Sequence, residues 1–232
     1  MTPTRKAALI AGALYLVTFV TSIPPLLLKA PILKDLGLLA TGGQRPLLWA
    51  AVIEIVLAAS CVGTAVALYP IVRPHGELRA LGFVASRTVE ACLIMLGVVA
   101  MLALVSWGRA GGDPAGLGAA HALVSVHDAT FLLGPGLMPA VNALLLGSVL
   151  YQARLVPRLI PLLGLIGAPL LAASALGTLF GVLDQVSPVA GLAALPIALW
   201  EASVGVWLLV RGVSDRTPVT TAVAATPVAV DA

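Results

Sequence analysis

Apolar residues fill the chain in six long blocks, parted by short clusters of charge, proline and glycine. The blocks fall at 7–28, 47–70, 80–107, 119–151, 159–183 and 188–210. A helix needs about 20 mostly apolar residues to cross hydrocarbon ~30 Å thick, and each block is long enough. The first and fifth carry no charged residue. The runs are unbroken and lack the short alternating segments of a membrane barrel, so helices are expected and strands are not. The pattern predicts an all-α, polytopic transmembrane bundle of six spans, forming one domain over residues 1–212. Residues 213–232 mix Thr, Val, Ala and Pro without helical period and are expected to form a flexible cytoplasmic tail.

Composition supports a lipid environment. Of 232 residues 60% are hydrophobic and 10% charged, with a mean hydropathy of +1.07. A chain this small and this apolar has the bilayer as its partner. Arg5 and Lys6 before an apolar run resemble a signal peptide. The run is too long, however, and Ser22-Ile23-Pro24-Pro25 offers no small-x-small cleavage site, so a retained first helix is expected. The net charge of +3 reads as a topology signal, and no nucleic-acid partner is expected. With both termini in the cytoplasm, the inner side holds Arg5, Lys6, Arg73, Arg79, Arg154, Arg158, Arg211 and Arg216. The outer side then holds Lys29, Lys34, Arg45 and Arg109, with Arg87 inside a span. This excess favours an N-in, C-in orientation. The first outer loop, 29–46, is expected to contain a short surface helix.

The fourth block is long for one span and contains Gly134-Pro135-Gly136 and then Pro139. Proline removes a backbone donor and clashes with the preceding turn. A kink, break or tilt is expected at these hinge candidates, with a packed kink favoured over a discontinuous helix. Gly177 and Gly181 form a GxxxG step expected to face a neighbouring helix.

Six ionisable residues lie within the spans: Glu54, Arg87, Glu90, His127, Asp128 and Glu201; Asn142 adds an amide. A charge at mid-bilayer costs about 2.5–3.5 kcal/mol on insertion scales, so these groups are expected to face one another or a cavity. Depth along each helix, at about 1.5 Å per residue, sorts them. Glu54, His127 and Asp128 are expected to meet as an outer cluster, and Arg87, Glu90, Asn142 and Glu201 as an inner one. Arg87 and Glu90, three apart, share a helix face. Asp128 and His127 point about 100° apart and need not bond each other. The carboxyls outnumber the bases. Arg87 is therefore expected to act as a fixed counter-ion, with one carboxyl titrating.

Three classes of function follow. The first is transport of a small solute, linked to a proton or cation, with these residues as binding or proton-relay positions. The second is a non-catalytic scaffold, sensor or accessory subunit whose polar groups specify helix packing. The third is a membrane-embedded metal hydrolase using His127, Asp128, Glu54 and His121. His121 and His127 do not share a face and no HExxH is present, so no metal site is expected. No cofactor is expected either: there is no CxxCH, and Gly111-Gly112-Asp113-Pro114 is a turn between spans. Cys61 and Cys92 read as small hydrophobes. A cavity reaching Glu54 or Asp128 from one side favours transport, and a dry, fully paired network favours a scaffold. The oligomeric state is not encoded in any recognisable pattern.

Several segments carry a family resemblance. They are Thr4-Arg5-Lys6 with Ala8 to Tyr15, Val126-His127-Asp128, Phe131-Leu-Leu-Gly-Pro-Gly136, Leu155 to Pro161, and Trp200-Glu201 with Gly205-Val-Trp207. On these the chain resembles an uncharacterised bacterial membrane family known as domain of unknown function 4386, over nearly all of residues 1–212. An aromatic residue is expected after His-Asp in similar chains, where this one has Ala129. The resemblance implies the helical membrane architecture and a bacterial inner-membrane location. It implies no activity.

Overall fold

A computed structural model describes residues 1–214. The tail expected at 213–232 lies almost wholly outside the described residues. Seven α-helices build the described chain: α1 (Pro3–Lys34), α2 (Gln44–Val72), α3 (Glu77–Arg109), α4 (Leu117–Leu133), α5 (Met138–Ala153), α6 (Leu159–Leu179) and α7 (Pro188–Val210). The described residues contain no strand. Taken with the short turn that joins them, α4 and α5 make one membrane-crossing unit, so six units are long and apolar enough to span a bilayer.

Local chemistry sets the helix ends. Thr2 caps α1 by accepting from the Arg5 amide at 3.2 Å, and Pro3 occupies the first turn, where its missing N–H costs nothing. Ser187 and Pro188 repeat the arrangement at α7. Gly181, at φ +71°, turns the chain out of α6, and the Val182 amide closes back on the Gly177 carbonyl at 2.8 Å. This C-cap ends the helix at Leu179. The expected GxxxG step is therefore a helix terminus and not a packing face.

The expected end of the first helix moves. α1 continues past residue 28, through Pro24, Pro25 and Pro31, to Lys34. A proline disturbs only the turn before it, and the apolar positions of the helix resume at Ala30, Ile32 and Leu33. Lys29 thus belongs to a helix and not to a loop. The remainder of the first loop holds a short 3-10 turn, Leu36–Leu39, whose Leu36 and Leu39 are buried among Ile32, Leu47, Met101 and Leu104. Its Gly37 and Leu38 are exposed, so the short helix expected in this loop lies at the surface with Leu36 and Leu39 turned inward.

The fourth block is two helices. Gly134 leaves helical geometry at φ −77°, ψ −94°, and Pro135 supplies no amide. The Gly136 amide reaches back to the Phe131 carbonyl at 2.9 Å. A Cβ on Gly136 would lie 2.4 Å from the Leu132 carbonyl oxygen, so only glycine fits. Pro139 then sits in the first turn of α5. The favoured packed kink is replaced by a break, because Pro135 lacks an amide donor and the two glycines beside it adopt the non-helical turn that parts α4 from α5.

Helices α1, α2, α3, α5, α6 and α7 pack in ring order, closed by α1 against α7. Glycines make that closure tight: a Cβ on Gly12 would lie 2.8 Å from the Gly205 carbonyl oxygen, and one on Gly164 would strike the Trp200 ring. Arg5 donates to the Leu208 and Leu209 carbonyls at 2.8 and 2.7 Å, so both ends of the described chain lie at one end of the bundle. α4 packs chiefly on α3. Two large hydrophobic cores result, with a smaller cluster of Leu57, Ala58, Cys61, Ala91 and Ile94 besides. One, around Tyr15, Leu68, Phe83, Leu146, Trp200 and Leu208, seals the end that bears the termini. The other lies at the opposite end, around the 3-10 turn.

Candidate functional site

Between the two cores lie two polar layers. The deeper is built on Arg87, which α3 places inside the bundle at 1% exposure. Its Nη1 donates to Glu90 Oε2 at 3.0 Å, one helical turn along, and its Nη2 donates to Glu201 Oε1 of α7 at 2.8 Å. Asn142 of α5 donates to the same Glu90 oxygen at 2.7 Å, and Ser86 donates to the Asn142 carbonyl at 2.6 Å. The guanidinium also lies 5.2 Å from the Tyr15 ring centre and 5.9 Å from that of Phe83. The structure brings Arg87, Glu90, Asn142 and Glu201 into one network. With all three ionised, the Glu90–Arg87–Glu201 triad carries a formal charge of −1.

The second layer is organised by Lys29. Its ammonium pairs with Glu54 of α2 and lies 4.8 Å from the centre of the Phe131 ring. Both members of the pair are buried. His127 stacks on Phe131, four residues on, with ring centres 6.4 Å apart and planes 7° from parallel. Its Nδ1 lies 3.1 Å from Asp128 Oδ1, within hydrogen-bond distance. Imidazole and carboxylate swing together across the angle between adjacent helical positions. This bond, which the spacing did not require, is present.

The expected outer cluster is only partly assembled. Glu54 and His127 line one small cavity of about 40 Å³ together with Lys29. Asp128 turns away from that cavity: its side chain is 57% exposed and lines a larger space of about 190 Å³ with Lys29, Lys34 and Gln185. Asp128 thus meets His127 and this larger cavity, but not Glu54. Asp128 sits beside the loop between α6 and α7, whose Gln185 donates to its carbonyl at 3.2 Å. His121 is exposed on the same helix and joins no cluster. Among the described residues, no three His, Cys, Asp or Glu side chains gather to hold a metal ion.

Lys29 is the residue that sequence reasoning missed. Its signal was the renewed apolar spacing at Ala30, Ile32 and Leu33, hidden behind three prolines. It also changes the charge count, since Glu54 has a dedicated base and only the Arg87 triad keeps an excess carboxylate.

Three larger cavities follow one another along α1. The first, at Asp128 and Lys34, shares Leu26, Phe131 and Gln185 with a second of about 220 Å³. That one shares Pro135, Leu171 and Ala194 with a third of about 210 Å³, which reaches Arg87, Glu90 and Glu201. The helix break at Gly134–Leu137 borders the second and third through Pro135.

Six hydrophobic helical units around a buried ionic network define a multi-pass helical membrane protein. The chain belongs to the family described as "Domain of unknown function (DUF4386)", whose profile matches residues 10–212. Comparison with curated proteins and with solved structures finds no match.

Proposed function

We propose that the protein is a carrier that moves a small solute across the bacterial inner membrane, coupled to a proton or another cation. One observation carries this reading: the row of cavities that starts at Asp128 and Lys34 and ends on the Arg87–Glu201 pair, with a hydrophobic core beyond it. A purely structural network has no need of an approach from one side. The net charge of the triad supports coupling, because a proton or cation on the second carboxylate makes the site neutral in a medium where charge is costly. The break between α4 and α5 supports movement: a discontinuous helix beside a cavity lets its two halves shift separately.

In this reading both termini are cytoplasmic, as the distribution of Lys and Arg favours, and the cavities face outward. A scaffold is the competing reading, supported by the pairing of both buried cations, Lys29 and Arg87, with carboxylates. Untargeted metabolite uptake by cells with and without the protein, followed by flux into purified vesicles carrying a pH-sensitive dye, separates the two. A carrier changes the uptake of at least one solute and acidifies or alkalises the lumen with it. Unaltered uptake across the metabolite set, with folded protein in the membrane, would sink the carrier reading.

A further inference from the structure

We propose that the deep cavity binds a small organic ammonium compound bearing an oxygen atom, with its ammonium held by Glu201 and its oxygen accepting from Arg87 Nε. The inference deepens the carrier reading and rests on it for the route by which the ligand arrives. The cavity, of about 210 Å³, has walls of mostly apolar side chains, among them Phe19, Ile23, Leu57 and Ile197. Its charged groups are those of the triad. Apolar walls add nothing to the binding of a strongly hydrated inorganic ion and suit a compact body with one polar end.

The sign of the charge follows from the triad. Glu90 Oε2 accepts from both Arg87 and Asn142, and its side chain is 6% exposed. Glu201 accepts only from Arg87 among the described residues, and its side chain is 15% exposed on the cavity side of α7. It is the more exposed of the two carboxylates and the one with fewer donors, and with all three groups ionised an ammonium there cancels the excess negative charge.

A second, independent observation points to an occupant. Arg87 Nε is buried and makes no hydrogen bond among the described residues, although Nη1 and Nη2 both donate to carboxylates. A buried donor without an acceptor is costly to leave unmade. A ligand oxygen at this level satisfies it while the ammonium lies on Glu201. The apolar body then rests between α1 and α7, where Ala194 and Ala198 leave room.

Calorimetric titration of the purified protein with phenylethanolamine, phenethylamine and phenethyl alcohol tests the assignment. These probes share one apolar body and differ in the ammonium and the oxygen. Phenylethanolamine is expected to bind tightest, and the uncharged alcohol about tenfold or more weaker, the ratio that one charge-assisted hydrogen bond supports. Glu201→Gln should remove the preference for the amine. Ala194→Phe, which fills the cavity and leaves the triad intact, should weaken both amines, and it decides the matter if Glu201→Gln does not fold. Equal binding of amine and alcohol, or unchanged affinity in Ala194→Phe, overturns the proposal. Amine binding without flux in vesicles upholds the ligand class and sinks the carrier. Flux of some other solute with no amine binding does the reverse.

Discussion

The ammonium of Lys29 and the carboxylate of Glu54 are paired inside the bundle, 25 positions apart in the chain and on adjacent helices. Neither residue is accessible enough for water to take the place of its partner. The pair ties α1 to α2 at the level where the cavities begin, and Phe131 of α4 covers the lysine from the third side. Removing one partner from a buried pair leaves a charge uncompensated, which costs more than the pair itself contributes.

Lys29→Met should therefore destabilise the protein by about 3–5 kcal/mol. The double variant Lys29→Met, Glu54→Gln should recover most of that loss, because no lone charge remains. Thermal unfolding in a mild detergent, with the two single variants and the double, reads the coupling directly. Additive losses would show that the two side chains do not meet.

Arg87→Lys keeps the charge and loses the fork. A guanidinium reaches Glu90 and Glu201 at once through Nη1 and Nη2, whereas a single ammonium cannot match that geometry. The variant is expected to unfold at a lower temperature and to lose any coupled flux. Asn142→Leu should be milder, about 1–3 kcal/mol, since Glu90 keeps Arg87 but the Ser86 hydroxyl loses its acceptor.

The break between α4 and α5 requires its glycines. Gly136→Ala places a Cβ 2.4 Å from the Leu132 carbonyl oxygen, and Gly134→Ala places one 2.9 Å from that of Thr130. Both contacts are with backbone, which cannot step aside. Each variant is expected to fold in markedly lower yield. Gly191→Ala in α7, where a Cβ meets nothing within 4 Å, is the control and should fold normally. Size-exclusion profiles of the three proteins give the comparison.

Orientation is open to chemical labelling. With Cys61 and Cys92 replaced by Ala, Thr41→Cys lies in the loop between α1 and α2, and Arg158→Cys lies in the turn between α5 and α6. For cytoplasmic termini, a membrane-impermeant maleimide should label residue 41 in intact cells and residue 158 only after permeabilisation. The opposite pattern places the cavity openings on the cytoplasmic side.

Six spans were legible from apolar spacing alone. In hydrocarbon each backbone amide and carbonyl must be satisfied within its own helix, so length and hydropathy leave little choice of structure. The inner network was legible for a related reason. Arg87 and Glu90 share a face by their spacing, and Glu201 and Asn142 lie at a similar depth, so the cost of burying charge drives them together. Lys29 was not legible, because a helix that runs through Pro24, Pro25 and Pro31 depends on the neighbouring helix that holds its far end. Nor was the outward turn of Asp128, since the α6–α7 loop beside it can be placed only once all the helices are packed.

From its sequence alone this protein is determined to be a helical membrane bundle with charged groups in its interior, because both properties follow from the free energy of single segments in lipid. Three features were decided only by the tertiary structure: which base meets Glu54, the clean parting of α4 from α5, and the row of cavities that ends on Glu201. Each depends on the rotation and relative height of separate helices. A cavity in particular is a place where packing leaves atoms out, and no stretch of residues records that by itself.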